Sequence, residues 1–272
     1  MKSQSKYIVP RAAVVAIAVA LFGVQWLCGE FPVWLFSAPM NLVIGALWIA
    51  LLWEGYRRRE TSTLVQYLLS AEATYTALAL AAILAMVLGL QSSPATTSWP
   101  VVGGAIYIQT VLTLVILRGW RNNQGVRWRF LITHCGLWLA ITSMLLGAPD
   151  KQVLRAQVGS EPTREVVNEQ GKKSYLSYEL RLDDFKVEHS ENGAPQMFRA
   201  SVAMDDKVVD IEVNNPYSKR YGEDIYLASY DSNSCILQIV REPWRAATMA
   251  GIAMLLLGAL MLFLQGFGGV KR

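Results

Sequence analysis

The chain has 272 residues, of which 53% are hydrophobic and only 17% charged, and its formal net charge is +4. Because ordinary soluble domains carry about 25% charged residues, this composition excludes a single soluble globule, and it excludes a disordered or collagen-like chain as well. The cysteines, Cys28, Cys135 and Cys235, are odd in number and form no Cys-x-x-Cys motif, which excludes a disulfide scaffold, a thiol-redox motif or a zinc knuckle built by this chain alone.

Six apolar stretches, each long enough to cross a bilayer, follow one another along the chain. They cover about residues 10–28, 39–56, 64–90, 100–117, 129–147 and 244–267. We expect the first stretch to be an uncleaved anchor, although its basic flank and the small residues Ser37 and Ala38 also suit a signal peptide. The sequence therefore predicts a multi-span α-helical membrane protein with about six transmembrane helices.

The distribution of charge predicts how the spans are oriented. Residues 148–242 hold 12 Lys and Arg against 17 Asp and Glu, a net charge of −5, whereas the rest of the chain carries +9. If the N-terminus is cytoplasmic, all but one (Arg245) of the basic residues in the rest of the chain lie on the cytoplasmic side: Lys2, Lys6, Arg11, Arg57, Arg58, Arg59, Arg118, Arg121, Arg127, Arg129, Lys271 and Arg272. The positive-inside rule then predicts cytoplasmic N- and C-termini and an acidic domain outside the cytoplasm.

The polar region has the pattern of an all-β domain. Alternating or β-branched segments occur at 175–188, 197–204, 208–213, 225–230 and 235–240, and Asn192 with Gly193 predicts a turn between the first two. We expect about six antiparallel strands packed as a small sandwich or barrel. The predicted organisation is a five-span bundle over 1–147, an extracytoplasmic β domain over 148–243, and a C-terminal transmembrane helix over 244–272.

His134 is the only histidine inside a predicted span. It lies about 9 Å up the fifth span from the basic end, and Trp138 follows one helical turn further on the same face. A neutral imidazole at that depth can ligate a metal or haem iron, carry a proton, or form an interhelical hydrogen bond. Placing a titratable group within a membrane costs free energy, and such groups usually have a function. His134 is therefore the first candidate functional residue.

Glu72 is the second candidate, because it lies in the third predicted span at a height comparable to that of His134. A carboxylate can orient an imidazole and raise its basicity as a ligand, so one hypothesis pairs the two residues. The alternative is that Glu72 faces a polar seam or reaches toward Arg57–Arg59.

The remaining candidates have simpler interpretations. His189 adjoins the predicted turn and we expect it to be solvated, while Cys135 points about 100° away from His134 on the helix. Ala247 and Gly251 form a small-xxx-small face on the last span, which predicts close helix packing within the chain or with a partner. Phosphate-binding loops, zinc-protease motifs and nucleophile elbows are absent, and the acidic outer domain argues against nucleic-acid binding.

Four segments of the sequence resemble the ResB (CcsB) family of cytochrome c biogenesis proteins. They are FLITHCGLWLAITSMLLGAPD from Phe130, LRLDDFKVEHSENGAPQMFRASV from Leu180, IEVNNPYSKRYGEDIYLASYD from Ile211 and IVREPWRAATMAG from Ile239. Together they extend from about Phe130 to the C-terminus, in the order that the family requires. The first four spans are too generic to align.

This resemblance implies a haem-handling subunit of a cytochrome c maturation complex in the bacterial inner membrane, with the β domain in the periplasm. It implies a ResC (CcsA)-like membrane partner, apocytochrome c as the recipient, and a thioredoxin-like reductant. The cofactor it implies is haem b, with His134 as an axial ligand of the haem iron. Trp138 and Phe130 lie near His134 on the helix and supply aromatic surface for haem, and the hypothesis above adds Glu72 as a supporting residue. The partner is usually credited with haem attachment, so we do not expect this chain to be catalytic alone. Two alternatives stay open: a scaffold that binds no haem, and a proton or electron relay through Glu72 and His134.

Overall fold

The computed structural model describes residues 6–90, 96–122, 125–189, 195–205, 207–231 and 233–265. The chain divides into two compact units, one of Met1–Pro149 with Ala246–Arg272 and one of Asp150–Arg245. The first unit is helical and the second is a β-sheet domain. Lys2, Asn192, Gly193, Lys271 and Arg272, on which predictions were made above, lie outside the described residues.

The helical unit contains helices that follow the predicted apolar stretches. Their bounds are α1 Ile8–Cys28, α2 Met40–Arg57, α3 Thr63–Leu68, α4 Ala71–Leu90, α5 Trp99–Gly119, α6 Trp128–Gly147 and α7 Arg245–Gln265. Two short 3-10 turns, Val33–Phe36 and Ala148–Asp150, and a two-residue hairpin, β1 Arg121–Asn122 with β2 Gly125–Val126, complete this part of the chain.

Five of the described helices are long and apolar enough to cross a membrane: α1, α4, α5, α6 and α7. The sequence predicts about six, and the difference is α2, which has 18 residues. Asn41, Glu54 and Arg57 lower its mean hydropathy, so length and composition alone do not place it with the other five. Whether α2 also spans the membrane stays a prediction.

The third predicted stretch, 64–90, is not one continuous helix. Ser62 caps α3 by accepting a hydrogen bond from the Val65 amide at 3.4 Å, and Ser70 accepts one from the Ala73 amide at 3.3 Å. The hydroxyl of Ser70 therefore caps the start of a second helix, and the helical conformation is interrupted between α3 and α4. As a result Glu72 lies in the first turn of α4 rather than eight residues inside a span.

Helix α5 is the most buried part of the helical unit. It contacts α1, α2, α4 and α6, and its middle segment from Gln109 to Leu114 is buried. Val111 packs with Tyr67, Ala73 and Ala77 in a small core. The α5 helix therefore has few side chains left to face lipid, while the helices around it expose many apolar ones.

Helices α6 and α7 approach each other at their glycines. A Cβ atom added at Gly251 would lie 2.6 Å from the Ala140 amide nitrogen and 2.8 Å from the Gly136 carbonyl oxygen, and one added at Gly136 would lie 2.9 Å from the Gly251 carbonyl oxygen. Ser143 and Thr248 join the same pair of helices by a hydroxyl hydrogen bond of 2.9 Å. The close packing predicted around Gly251 is confirmed, and its partner is α6 of this chain.

The β domain is one antiparallel sheet of eight strands. The strands are β3 Gln152–Val158, β4 Thr163–Asn168, β5 Lys173–His189, β6 Pro195–Met204, β7 Lys207–Glu212, β8 Tyr217–Arg220, β9 Glu223–Asp231 and β10 Ser234–Arg241. Their spatial order is β7-β6-β5-β4-β3-β10-β9-β8. The prediction of about six strands misses β3, β4 and the short β8.

The sheet curls around a single core. Leu180 of β5, Ile211 of β7 and Ile225 of β9 all belong to the same buried cluster, although β7 and β9 lie near opposite ends of the strand order. The two edge strands, β7 and β8, follow each other directly in the chain, and an isolated bridge between Glu212 and Asn215 lies in their short connection. The domain therefore resembles a partly closed barrel more than a two-sheet sandwich.

Candidate functional site

The antiparallel pair α5 and α6 brings most of the predicted site residues onto one helix face. Phe130, His134 and Trp138 are four residues apart on α6, so they follow one another along one side of that helix. Phe130 packs at Gly119 of α5, and Trp138 reaches Thr113 two turns further along. His134 lies between these two contacts.

The hydrogen bond of the His134 ring selects its tautomer. Nδ1 lies 2.9 Å from the backbone carbonyl oxygen of Phe130. A carbonyl oxygen can only accept, so Nδ1 carries the proton, and in the neutral imidazole the lone pair is then on Nε2. The described residues provide no hydrogen bond to Nε2, and the side chain is only half buried. The imidazole is therefore fixed by one nitrogen and available for coordination through the other.

Phe130 supports the imidazole by stacking. The two ring centroids are 3.9 Å apart with an interplanar angle of 26°, and the guanidinium carbon of Arg127 lies 4.9 Å from the Phe130 centroid on the same ring. A Cβ atom at Gly119 would lie 2.7 Å from Cε1 of Phe130, so only glycine leaves room for this ring. We call the series Arg127–Phe130–His134 the stacked column.

Trp138 is held by polar groups of α5. Its indole Nε1 donates to Oγ1 of Thr113 at 2.8 Å, and its backbone carbonyl accepts from Nε2 of Gln109 at 3.1 Å. Gln109 also donates to Thr142, one turn further along α6. Gln109 is 6% exposed, and its Oε1 is buried without a hydrogen-bond partner among the described residues. The face that carries His134 is therefore fixed by hydrogen bonds between helices as well as by packing.

Gln109, Thr113 and Thr142 are not titratable, so a prediction from the titratable side chains within the spans does not include them. A polar amide in the middle of an apolar stretch is itself a signal for an interhelical contact. Which helix receives that contact depends on the pairing of α5 with α6, and the sequence does not specify this.

Glu72 pairs with Arg11 of α1, in contrast to the predicted pairing with His134. Oε2 of Glu72 accepts a hydrogen bond of 2.6 Å from Nη2 of Arg11, and Nε of Arg11 lies 2.5 Å from Oε1. The alternative contact with Arg57–Arg59 is also not formed, because Arg57 and Arg58 pair with Glu54 of their own helix. The break between α3 and α4 moves Glu72 to a helix start, where it meets α1.

The other candidates remain separate from the stacked column. Cys135 is partly buried on α6, and Cys235 is fully buried in the sheet core, where burial raises the pKa of its thiol to about 11. His189 ends strand β5. Within the described ranges, no group of three or more His, Cys, Asp or Glu side chains could hold a metal ion.

A second polar cluster, which the sequence analysis did not identify, lies in the β domain around Glu223. This carboxylate is 1% exposed, and it accepts hydrogen bonds from the Tyr178 hydroxyl at 2.6 Å, from Arg220 Nε at 2.8 Å and from Arg241 Nε at 3.1 Å. Burial raises the pKa of Glu223, but Tyr178 and the two arginines outweigh burial and hold this pKa below its usual value. The same burial and the nearby carboxylate raise the pKa of Tyr178.

A hydrogen bond and further ion pairs connect the first and last residues of the β domain. Trp244 Nε1 donates to Asp150 at 2.7 Å, and Lys151 lies 2.7 Å from Glu242. Arg245 pairs with Asp224 at 2.5 Å, and this hydrogen bond holds the pKa of Asp224 below its usual value. Both ends of the domain are therefore fixed to the sheet where the chain passes into helices.

No curated protein matches the chain. A solved structure named "Cytochrome c Heme Lyase CcmF" is similar over 91% of this chain and 43% of its own length, with 10% sequence identity and a TM-score of 0.42, so this chain spans less than half of that protein. The sequence profile of the ResB-like family matches residues 123–254, which include α6, the whole β domain and the first half of α7. Over this segment, which is just under half of the chain, the sequence is similar to the ResB-like family.

Proposed function

We propose that this chain is a haem-handling membrane subunit of a cytochrome c maturation complex. The ResB-like segment supports a role in cytochrome c biogenesis, and that segment contains the stacked column and the β domain. The observation that carries the haem assignment is the His134 ring, whose Nδ1 is engaged by Phe130 and whose Nε2 has no protein partner among the described residues.

The residues around His134 fit a haem. Haem iron takes a neutral imidazole nitrogen as an axial ligand, and the hydrogen bond at the other nitrogen is the usual means of fixing the ring. Phe130 and Trp138 supply aromatic surface on the same face of α6. Haem bound there would supply the iron porphyrin that is joined to apocytochrome c.

Each residue of the site has a distinct role in this proposal. The Phe130 carbonyl holds the proton at Nδ1 of His134, so that Nε2 keeps its lone pair. Thr113 fixes the indole of Trp138, and Gly119 leaves room for the Phe130 ring. The described part of the chain offers one imidazole within the helices, so the second axial ligand comes from a ResC (CcsA)-like partner.

The charge distribution supports an orientation for the complex. The basic residues near the start of α6 favour the cytoplasmic side of a bacterial inner membrane, and the β domain with its net charge of −5 then lies in the periplasm. An acidic domain on that side attracts a basic extended polypeptide, which is how we propose that apocytochrome c is guided. A thioredoxin-like reductant would keep the apocytochrome thiols reduced.

The geometry is less favourable to the relay alternative. Arg11 already neutralises Glu72 through two contacts, so no proton path from Glu72 to His134 is supported. The scaffold alternative, in which the chain stabilises its partner without binding haem, makes a different spectroscopic prediction.

The experiment that tests the proposal is the absorbance spectrum of the full-length chain purified with its membrane partner. We expect a Soret band that His134→Ala weakens strongly and that added imidazole restores, because imidazole can occupy the position of the missing ring. His189→Ala is the matched control, since His189 is the only other histidine in the chain, and it should leave the band unchanged. A complex without haem, or a Soret band unchanged by His134→Ala, would overturn the proposal in favour of the scaffold.

A further inference from the structure

The acidic and basic groups of the helical unit are not evenly paired. Glu54 is neutralised by Arg57 and Arg58, and Glu72 by Arg11. Arg127, immediately before α6, has no carboxylate partner among the described residues, and its side chain donates one long hydrogen bond of 3.4 Å, from Nη1 to the Gly119 carbonyl. A guanidinium has five N–H donors, so most of the donors of Arg127 remain available.

Arg127 nevertheless has a defined position. Its guanidinium lies over the ring of Phe130, which also stacks with the His134 ring. Arg127 precedes His134 by seven residues, which is two turns of an α-helix, so both residues lie on nearly the same face about 10 Å apart along the axis. Stacking on a ring leaves the edge of the guanidinium, which carries the N–H groups, free to bind a planar anion.

Arg129 provides a natural comparison. It is exposed, it has the same chemistry, and it lies only two residues from Arg127. It precedes His134 by five residues, however, which places it about 140° away around the helix. An anion bound on the His134 face can therefore reach Arg127 but not Arg129.

We propose that Arg127 binds a carboxylate of the porphyrin whose iron His134 ligates. This inference rests on the proposed haem function and adds to it the recognition of the acidic edge of the porphyrin. Arginine pairs with carboxylates through two parallel N–H···O hydrogen bonds, which fix orientation as well as position. The two ends of the stacked column thus bind two parts of one ligand: His134 binds the iron, and Arg127 binds a carboxylate.

The test is a titration of the full-length chain, purified with its partner and stripped of haem, against two probes. The probes are iron protoporphyrin IX and its dimethyl ester, which has the same iron and ring but no ionised carboxylates. We expect Arg127→Gln to weaken binding of the acid about tenfold, since hydrogen bonds to charged groups contribute on this order, and to leave binding of the ester unchanged. Arg127→Lys should recover part of the loss, and Arg129→Gln should have no effect on either probe.

Three outcomes would overturn the inference. Equal weakening of both probes by Arg127→Gln would mean that the arginine only supports Phe130. No weakening of either probe would mean that Arg127 serves membrane orientation or lipid phosphates instead. Equal effects of Arg127→Gln and Arg129→Gln on the acid would indicate an unspecific charge effect. Failure of the haem proposal itself is distinguishable, because it appears as binding of both probes that His134→Ala does not change.

Discussion

The buried Glu223 allows a quantitative prediction about the β domain. Glu223→Gln keeps the shape of the side chain but removes the negative charge that faces Arg241, whose side chain is 23% exposed. Removing one partner of a buried ion pair costs about 3–5 kcal/mol, and we expect about 3 kcal/mol because Arg241 can still reach some water. For a domain of roughly this size, 1 kcal/mol corresponds to about 4–8 °C in Tm, so the expected decrease is about 12 °C or more.

The assay can be made specific to this domain. Cys235 is fully buried in the sheet core, so a thiol reagent reports its exposure as the full-length protein is heated, in a background where Cys28 and Cys135 are replaced by Ser. Glu165→Gln is the matched control, because Glu165 and its partner Lys173 are both exposed and such a surface pair contributes about 0–1 kcal/mol. A decrease in Tm no larger for Glu223→Gln than for Glu165→Gln would refute the reasoning.

Three further predictions concern the helix pair and the pH dependence of the domain. Thr113→Val removes the acceptor of the Trp138 indole, and we expect a loss of about 1 kcal/mol in stability with a shift in tryptophan emission; unchanged emission would contradict the contact. Gly119→Ala forces the Phe130 ring away, so we expect overpacking to lower the free energy of unfolding by about 1–3 kcal/mol and haem binding to weaken. Unchanged stability and unchanged haem binding would contradict the packing of Phe130 against Gly119. The pKa of Glu223 is lower in the folded protein than in the unfolded chain. Its contribution to folding stability is therefore fully present above the unfolded carboxyl pKa of about 4, and it is lost as the pH falls through the lower folded-state pKa. Acid unfolding followed by Cys235 exposure should therefore be less steep in Glu223→Gln than in the wild type, and equal steepness would contradict the assignment.

The sequence predicts a helical unit and a β-sheet unit because the spacing of hydrophobic residues differs between the two parts of the chain. Strand β7 reads KVVDIE, whose alternation matches the burial of Ile211, and β10 likewise alternates around Leu237. Strands β3 and β4 were missed although β3 also alternates, with Leu154, Ala156 and Val158 buried. Both strands are at least as long as β7, which was predicted, so strand length does not account for the omission.

The candidate site was predictable in part. The four-residue spacing of Phe130, His134 and Trp138 places them on one helix face, and helical periodicity alone establishes this. The hydrogen bond from Nδ1 of His134 to the Phe130 carbonyl, by contrast, depends on the rotamer of the ring.

Contacts between distant parts of the chain could not be predicted. The pairing of Glu72 with Arg11 joins residues 61 positions apart, and it follows from a helix break that the continuous apolar pattern of 64–90 conceals. The hydroxyl and amide groups that hold Trp138 likewise depend on which helix packs beside α6. Composition and the spacing of hydrophobic residues predict the helices and strands, whereas these contacts depend on tertiary packing.

The central claim is that Nε2 of His134 is a ligand of haem iron, and pulsed electron paramagnetic resonance of the ferric complex tests it most directly. The full-length chain would carry ¹⁵N-labelled histidine and be assembled with an unlabelled partner, so that any ¹⁵N coupled to iron belongs to this chain. We predict a ¹⁵N coupling from a directly coordinated nitrogen that persists in His189→Ala and is lost in His134→Ala. A haem whose coupled nitrogens are all ¹⁴N would contradict the account.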